Sequence, residues 1–145
     1  MPIKLKGLDQ VLSNLKITQT EISKVAVSQL RQGAIRIQQS ARNYSPVEFG
    51  NLESSIKTEE QITDTAATIR IGVDDATPVP ERPGKHVGDY ALFIHESDYH
   101  LGPASLAKAA ATGKQVGPKF LERAFTDHQQ EITDAVADAV RREIN

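Results

Sequence analysis

The sequence predicts an α+β fold, with long helices packed on a small antiparallel β-sheet and two long projecting loops, all in one domain over residues 1–145. Three observations predict it. Two long stretches, 18–43 and 118–144, repeat apolar residues at helical spacing. Between them, 55–62 and 66–74 carry the alternation of a strand pair. Two stretches interrupted by proline and glycine, 74–89 and 97–117, cannot hold regular structure for long.

Each element follows in chain order. Leu8, Val11, Leu12 and Leu15 give a short amphipathic helix over 8–16. Thr18-Gln19-Thr20-Glu21 is a capping box, which starts the first long helix at Thr18. Ile22, Val25, Ala26, Leu30, Gly33, Ala34, Ile37, Ala41 and Tyr44 form its apolar stripe. Gly33 costs about 1 kcal/mol against alanine inside a helix, so its place on the stripe points to close approach by another element. Val27 and Ile35 fall off the stripe and mark a second contact, between subunits.

Pro46 stops the helix after Tyr44, because the residue before proline is driven out of helical geometry. Phe49-Gly50-Asn51 is a tight turn in which Gly50 or Asn51 takes positive φ. Ser54-Ser55-Ile56 opens an extended segment, the two serines bonding backbone groups of the turn. Ala67, Ile69, Ile71 and Val73 make the buried face of the second strand. The apolar run Tyr90–Glu96 is expected as a third strand, with a short helix as the other option. Pro103 and Gly113 bracket a short helix over 104–112. Leu121, Phe125, Ile132, Val136 and Val140 form the stripe of the last helix. Phe120, Leu121 and Phe125 are expected in the core.

Composition limits function. Seventeen Lys and Arg against nineteen Asp and Glu give a net charge of −2, so no strong field draws nucleic acid or an anionic membrane. There is no cysteine, hence no disulfide framework and no thiolate chemistry, consistent with assembly in a reducing cytoplasm. The opening residues lack an apolar stretch of signal-peptide length. No apolar run approaches the roughly 20 residues that span a bilayer, so a soluble protein is expected. Four Phe, three Tyr and no Trp are few for stacking bases or sugars.

Candidate chemistry is sparse. His95-Glu96-Ser97-Asp98-Tyr99-His100 resembles a zinc motif but spaces its histidines five apart rather than four. Five residues rotate a helical side chain by about 140°, and in a strand an odd spacing reverses the face. A loop would have to gather His86, His95 and His100 for a small metal-dependent hydrolase, the alternative function. Otherwise His95 is a histidine satisfied by a backbone or carboxylate partner. No Gly-x-Ser-x-Gly elbow and no phosphate loop are present. Lys108, Lys114, Lys119 and Arg123 suggest a small basic patch of solvated side chains, with contact to DNA or an acidic partner as the sharper option. Glu48, Glu53, Glu59 and Glu60 suggest a solvated acidic face. A toxin-like or regulatory binding module is permitted and has no dedicated feature.

Three motifs occur in order: Ser45-Pro46-Val47-Glu48-Phe49-Gly50-Asn51-Leu52-Glu53-Ser54-Ser55-Ile56, Tyr90-Ala91-Leu92-Phe93-Ile94-His95-Glu96, and Gly117-Pro118-Lys119-Phe120-Leu121-Glu122-Arg123-Ala124-Phe125. With the opening Gly7-Leu8, Leu12 and Leu15, the chain resembles the tail-completion or neck proteins of tailed bacteriophages, also called minor tail components or minor capsid proteins. The resemblance covers nearly the whole chain. It departs at Phe49, where the family has threonine, and in the long gap between Glu96 and Gly117. It implies a structural virion protein at the head–tail junction, assembled in the host cytoplasm, and no enzyme. It further implies a homo-oligomeric ring, six-fold or twelve-fold, that joins connector or head-completion proteins to tail-terminator and tail proteins. Genomic DNA would pass through the lumen without sequence-specific binding. No cofactor, metal or membrane is expected. The candidate subunit and partner contacts are Phe49, Pro80, Pro83, His86, Tyr99, Leu101, Leu106, Lys108 and Lys114.

Overall fold

A computed structural model describes residues 13–18, 24–47 and 50–144. The fold is α+β, as the sequence predicts. Strand β1 (Ser13–Thr18) is followed by helix α1 (Lys24–Tyr44), the short helix α2 (Asn51–Ser55), and strands β2 (Ile56–Ile62) and β3 (Ala66–Val73). A 3-10 turn (Val87–Asp89) leads into α3 (Ala91–Glu96), then α4 (Pro103–Thr112) and α5 (Phe120–Ile144).

The sheet is antiparallel in the order β1-β3-β2. The expected hairpin is present, with Ile56 opposite Val73 and Ile62 opposite Ala67. Ala67, Ile69, Ile71 and Val73 are all buried, so the alternation placed the core face correctly. The third strand is not 90–96 but 13–18, which pairs from Ser13 opposite Ile71 to Thr18 opposite Ala66. The helix expected over 8–16 is therefore corrected at 13–16; residues 8–12 lie outside the described residues. Four leucine-type repeats cannot sustain an isolated helix, and the second edge of β3 offers a full ladder of backbone partners instead. The capping-box start at Thr18 is also displaced, since Thr18 closes β1 and residues 19–23 lie outside the described residues.

Helix α1 buries Ala26, Val27, Leu30, Gly33, Ala34, Ile37 and Ala41. Val27 joins the stripe, and Val25 is exposed, the reverse of expectation. Val27 holds the three-and-four spacing to Leu30 and Ala34, whereas Val25 lies about 200° around the helix from Val27. Ile35 is exposed as expected. Gly33 does mark a close approach: a Cβ there would meet Ile132 Cγ1 at 2.5 Å. The Ile132 side chain of α5 therefore packs directly on the backbone of α1 at Gly33. Helix α5 returns Phe120, Leu121, Ala124, Ile132, Val136 and Ala139 to the same core, with Phe125 and Val140 packed half-buried against it.

Gly50 has φ 83°, and the turn at 50–51 is where expected. Ser54 and Ser55 then lie in α2, not in an extended entry; their hydroxyls donate to the carbonyls of Asn51 (3.1 Å) and Leu52 (2.5 Å). No neighbour crowds a Cβ at Gly50, so an alanine there pays backbone strain alone. Gly50→Ala is expected to lower stability by about 1–2 kcal/mol in a thermal melt, and Gly50→Asn by less.

Residues 90–96 form the 3-10 exit and α3 rather than a strand. Ala91 and His95, four apart, share the buried face while Phe93 points out. A short continuous apolar run has no period that separates the two structures. Both long connections are present and both are pinned to the body. In the first, Val79 N–H donates to Lys85 and Val87 N–H to Thr77, closing a small hairpin with Val79 and Val87 buried at its base. In the second, α4 begins at Pro103 and ends before Gly113, as the bracket predicts, and Ser105 and Val116 are buried.

Candidate functional site

The second long connection, with Gly117 at the start of the third motif, closes on the C-terminal end of α1. An α-helix leaves its last carbonyls without partners, and the accumulated dipole makes that end negative. Here Lys108, reaching from α4, fills both needs. Its Nζ donates to the carbonyls of Arg42 and Ser45, the latter at 2.6 Å, and pairs with Glu53 of α2. Its side chain is 11% exposed. Ser45 Oγ donates to Arg42 (2.9 Å), and Gly117 N–H donates to the carbonyl of Tyr44 (2.9 Å). Ser105 Oγ both accepts from Val47 N–H (2.8 Å) and donates to its carbonyl (3.1 Å). The turn after α1 is thus held from outside by the second long connection.

The second and third motifs lock onto each other. Lys119 N–H donates to the carbonyl of His95 (2.7 Å), and Lys119 Nζ pairs with Glu96. Lys119 takes φ 58°, a left-handed value outside glycine. The pairing raises the Lys119 ammonium and lowers the Glu96 carboxyl from their ordinary values. The His95 ring stands edge-on to Phe120, centroids 4.8 Å apart. Arg123 lies over the Tyr44 ring at 4.8 Å and donates to the carbonyls of Gln115 (2.9 Å) and Pro118 (3.1 Å). Tyr44 hydroxyl donates to Asp127; that bond, then burial, raises its pKa.

Several sequence expectations change here. Lys108 is an internal prop, not an exposed contact, because two backbone carbonyls and a carboxylate converge on it. Lys108 and Arg123 are engaged inside the fold and Lys119 pairs with Glu96, so the four cations make no solvated patch; Lys114 alone of the four is exposed with no ion pair among the described residues. The acidic face is also divided: Glu53 pairs with Lys108, Glu60 pairs with Arg31, and Glu48 lies outside the described residues. His95 is buried, but neither ring nitrogen has a hydrogen-bond partner among the described residues. Its Nδ1 is 3.5 Å from Glu96 Oε2, an ion-pair distance without a hydrogen bond. The satisfied histidine expected from sequence is replaced by an unsatisfied one.

Beside this joint lies a groove of about 420 Å³. Val47 and Leu52 of the turn, Val79 of the hairpin, Ile94 of α3, and Tyr99 and Leu101 line it. Tyr99 hydroxyl donates to the Ile94 carbonyl (2.7 Å), and burial pushes its pKa up to about 12. The candidate contacts Tyr99 and Leu101 are therefore groove walls. Pro80, Pro83 and His86 are exposed on the hairpin, Leu106 and Lys114 on and after α4; Phe49 lies outside the described residues. Phe93, which the sequence did not single out, is 60% exposed and stacks on Tyr99 at 6.3 Å.

Among the described residues no group of three or more His, Cys, Asp or Glu is placed to hold a metal, and His86, His95 and His100 are not gathered. One constellation absent from the sequence reading deserves chemistry's test. Ser40 Oγ lies 2.7 Å from His128 Nε2, and His128 Nδ1 lies 3.9 Å from Glu131 Oε2. The order is that of a hydrolytic triad. Yet Ser40 sits in the interior of α1, where backbone N–H groups are spent on helix bonds and none is left as an oxyanion donor. Arg36 also holds Glu131 at 2.5 Å. The arrangement is a polar strut across the α1–α5 seam. The Glu131 spacing from His128 is visible in sequence; the Ser40 partner, 88 residues away, is not.

Among the described residues no helix is long and apolar enough to cross a membrane. Comparison of the chain with protein-family models, curated proteins and solved structures found no match.

Proposed function

We propose that the chain is a structural virion protein of a tailed bacteriophage, a ring subunit of the neck that joins connector to tail around the DNA path. The observation that carries this proposal is that the second and third motifs lock onto each other and that the third also closes on the end of α1, where the first motif begins. Val47 N–H reaches Ser105, Gly117 N–H reaches Tyr44, and Lys119 N–H reaches His95. Gly117 and Lys119, within the resemblance, thus act as fasteners, alongside Ser105 and Lys108 from the connection where it departs. Such fasteners fix the directions of α3 and α4, which carry the exposed Phe93 and Leu106. A net charge of −2 suits a conduit that must not grip phosphates.

The partner surface on this proposal is the hairpin tip at Pro80, Pro83 and His86, together with Leu106, Lys114 and Phe93. Removing 104–113 as a block would also remove Ser105 and Lys108 and so damage the joint. Point changes separate the roles. Leu106 and Phe93 are both exposed; Leu106→Asp is expected to shift stability within about 0.5 kcal/mol, and Phe93→Asp, which also gives up the stack on Tyr99, to cost about 1 kcal/mol. They are also expected to abolish completion of virions when supplied to a phage lacking the native gene, leaving filled heads without tails. Electron microscopy of the lysate reads the outcome. Normal particles with both variants, or a purified protein that forms no ring with connector present, would sink the proposal.

A further inference from the structure

His95 is the one histidine of the described residues that is buried in the apolar core. It is 2% exposed, both ring nitrogens lack a hydrogen-bond partner among the described residues, and its ring packs edge-on against Phe120. The charged groups that face it are Glu96 on its own helix, Lys119 before α5 and Glu122 in the first turn of α5. Glu96 is engaged by Lys119, whose left-handed backbone is held by its N–H to the His95 carbonyl and by its ammonium to Glu96, with Glu122 Oε2 farther off at 3.9 Å. A non-glycine residue at positive φ persists only while its surroundings hold it there.

We propose that His95 is a proton-operated latch between α3 and α5: protonation of the ring draws the Glu96 carboxylate from Lys119 and frees α3, and with it one wall of the groove. The steps follow from charge. A neutral ring tolerates the apolar site; an imidazolium there needs a counter-charge. Glu96 Oε2, 3.5 Å from Nδ1, is the nearest carboxylate. Swinging to the ring, it leaves Lys119 with its backbone bond to His95 and the longer, exposed pair to Glu122, so the short ion pair that ties α3 to the start of α5 is lost. The freed helix supplies Ile94 to the groove, and Tyr99 is anchored on the Ile94 carbonyl, so the groove changes shape with it.

Burial lowers the His95 pKa from its ordinary 6.5, against the opposing pull of Glu96. The sign is therefore fixed. The native state binds fewer protons there than the open state, so closure is strongest above about pH 6.5 and weakens as pH falls through the depressed native value.

The test is amide hydrogen exchange on the intact protein, corrected for intrinsic rates, between about pH 7.5 and 5. Residues 91–99 are expected to lose about tenfold in protection as the pH falls, while 26–41 of α1 keep theirs. His95→Leu removes the titrating ring and the unsatisfied nitrogens together, and is expected to abolish the step. In parallel, the His95 imidazole signal of the unaltered protein is followed by NMR, which requires no variant to fold; its titration is expected to coincide with the loss of protection. A step that persists in His95→Leu, a ring that titrates with 91–99 still protected, or protection lost along the whole chain at once would each overturn the latch.

Discussion

Lys108→Met is expected to lower the stability of the fold by about 2–3 kcal/mol, a fall of about 10 °C in a thermal melt. Methionine keeps most of the stem's packing, so the loss isolates the ammonium. That group satisfies the carbonyls of Arg42 and Ser45 at the negative end of α1 and pairs with Glu53. Hydrogen bonds from a charged donor contribute about 1.5–3 kcal/mol each, and a cation at a partly buried helix C-terminus adds up to about 2 kcal/mol. Some of this returns when Glu53, 35% exposed, turns to water, which sets the expectation below the simple total. Lys114→Ala, six residues on and exposed, is the control and should change stability by less than about 0.5 kcal/mol. Equal melting curves for the two variants would show that Lys108 is an ordinary surface lysine after all. Hydrogen exchange at 42–47 should rise in Lys108→Met before exchange in β3 does, because the joint opens first.

Lys108 also shows where sequence legibility ends. The helix that carries it was legible, because Pro103 and Gly113 mark its ends by local backbone preference. The lysine's role was not, since its partners lie 63 and 66 residues away and long-range pairing leaves no periodic trace. The same division runs through the chain. The β2–β3 hairpin was legible because its buried face alternates and its partner strand is adjacent. β1 was missed, because its six residues carry too weak a pattern and only the edge of β3 makes them a strand. Residues 90–96 were ambiguous in kind, and the burial of Ala91 with His95 decides for helix. The groove could not have been read from sequence, because its walls come from four separate segments. Two of its residues, Tyr99 and Leu101, were singled out through their place in a long connection, which is a weaker reason than the one the structure supplies.

Gly33 was the exception among long-range contacts, for a glycine on an apolar helical stripe is itself a signal. Gly33→Val is expected to destabilise the helix pair through overpacking alone. A Cβ at that position would lie 2.5, 2.7 and 2.9 Å from three side-chain carbons of Ile132, which is itself buried. Overpacking of a full core costs about 1–3 kcal/mol and sometimes more. The helix gains back less than about 1 kcal/mol, since valine is only modestly better than glycine there. Gly33→Ala separates the two effects: its helical gain is the full 1 kcal/mol or so, with the smallest possible intrusion. If the Ile132 side chain cannot move aside, even alanine destabilises. The decisive measurement is a double-mutant cycle with Ile132→Ala. Alone, that change leaves a cavity and costs about 2–5 kcal/mol. Combined with Gly33→Val, the added methyl groups enter the space that the isoleucine vacates, and the pair should be more stable than the two single effects added together by about 1–3 kcal/mol. Strict additivity in denaturant melts would mean that α1 and α5 do not meet at Gly33. The seam would then have to be placed elsewhere, and the Ser40–His128 strut one and two turns further along it would be displaced too.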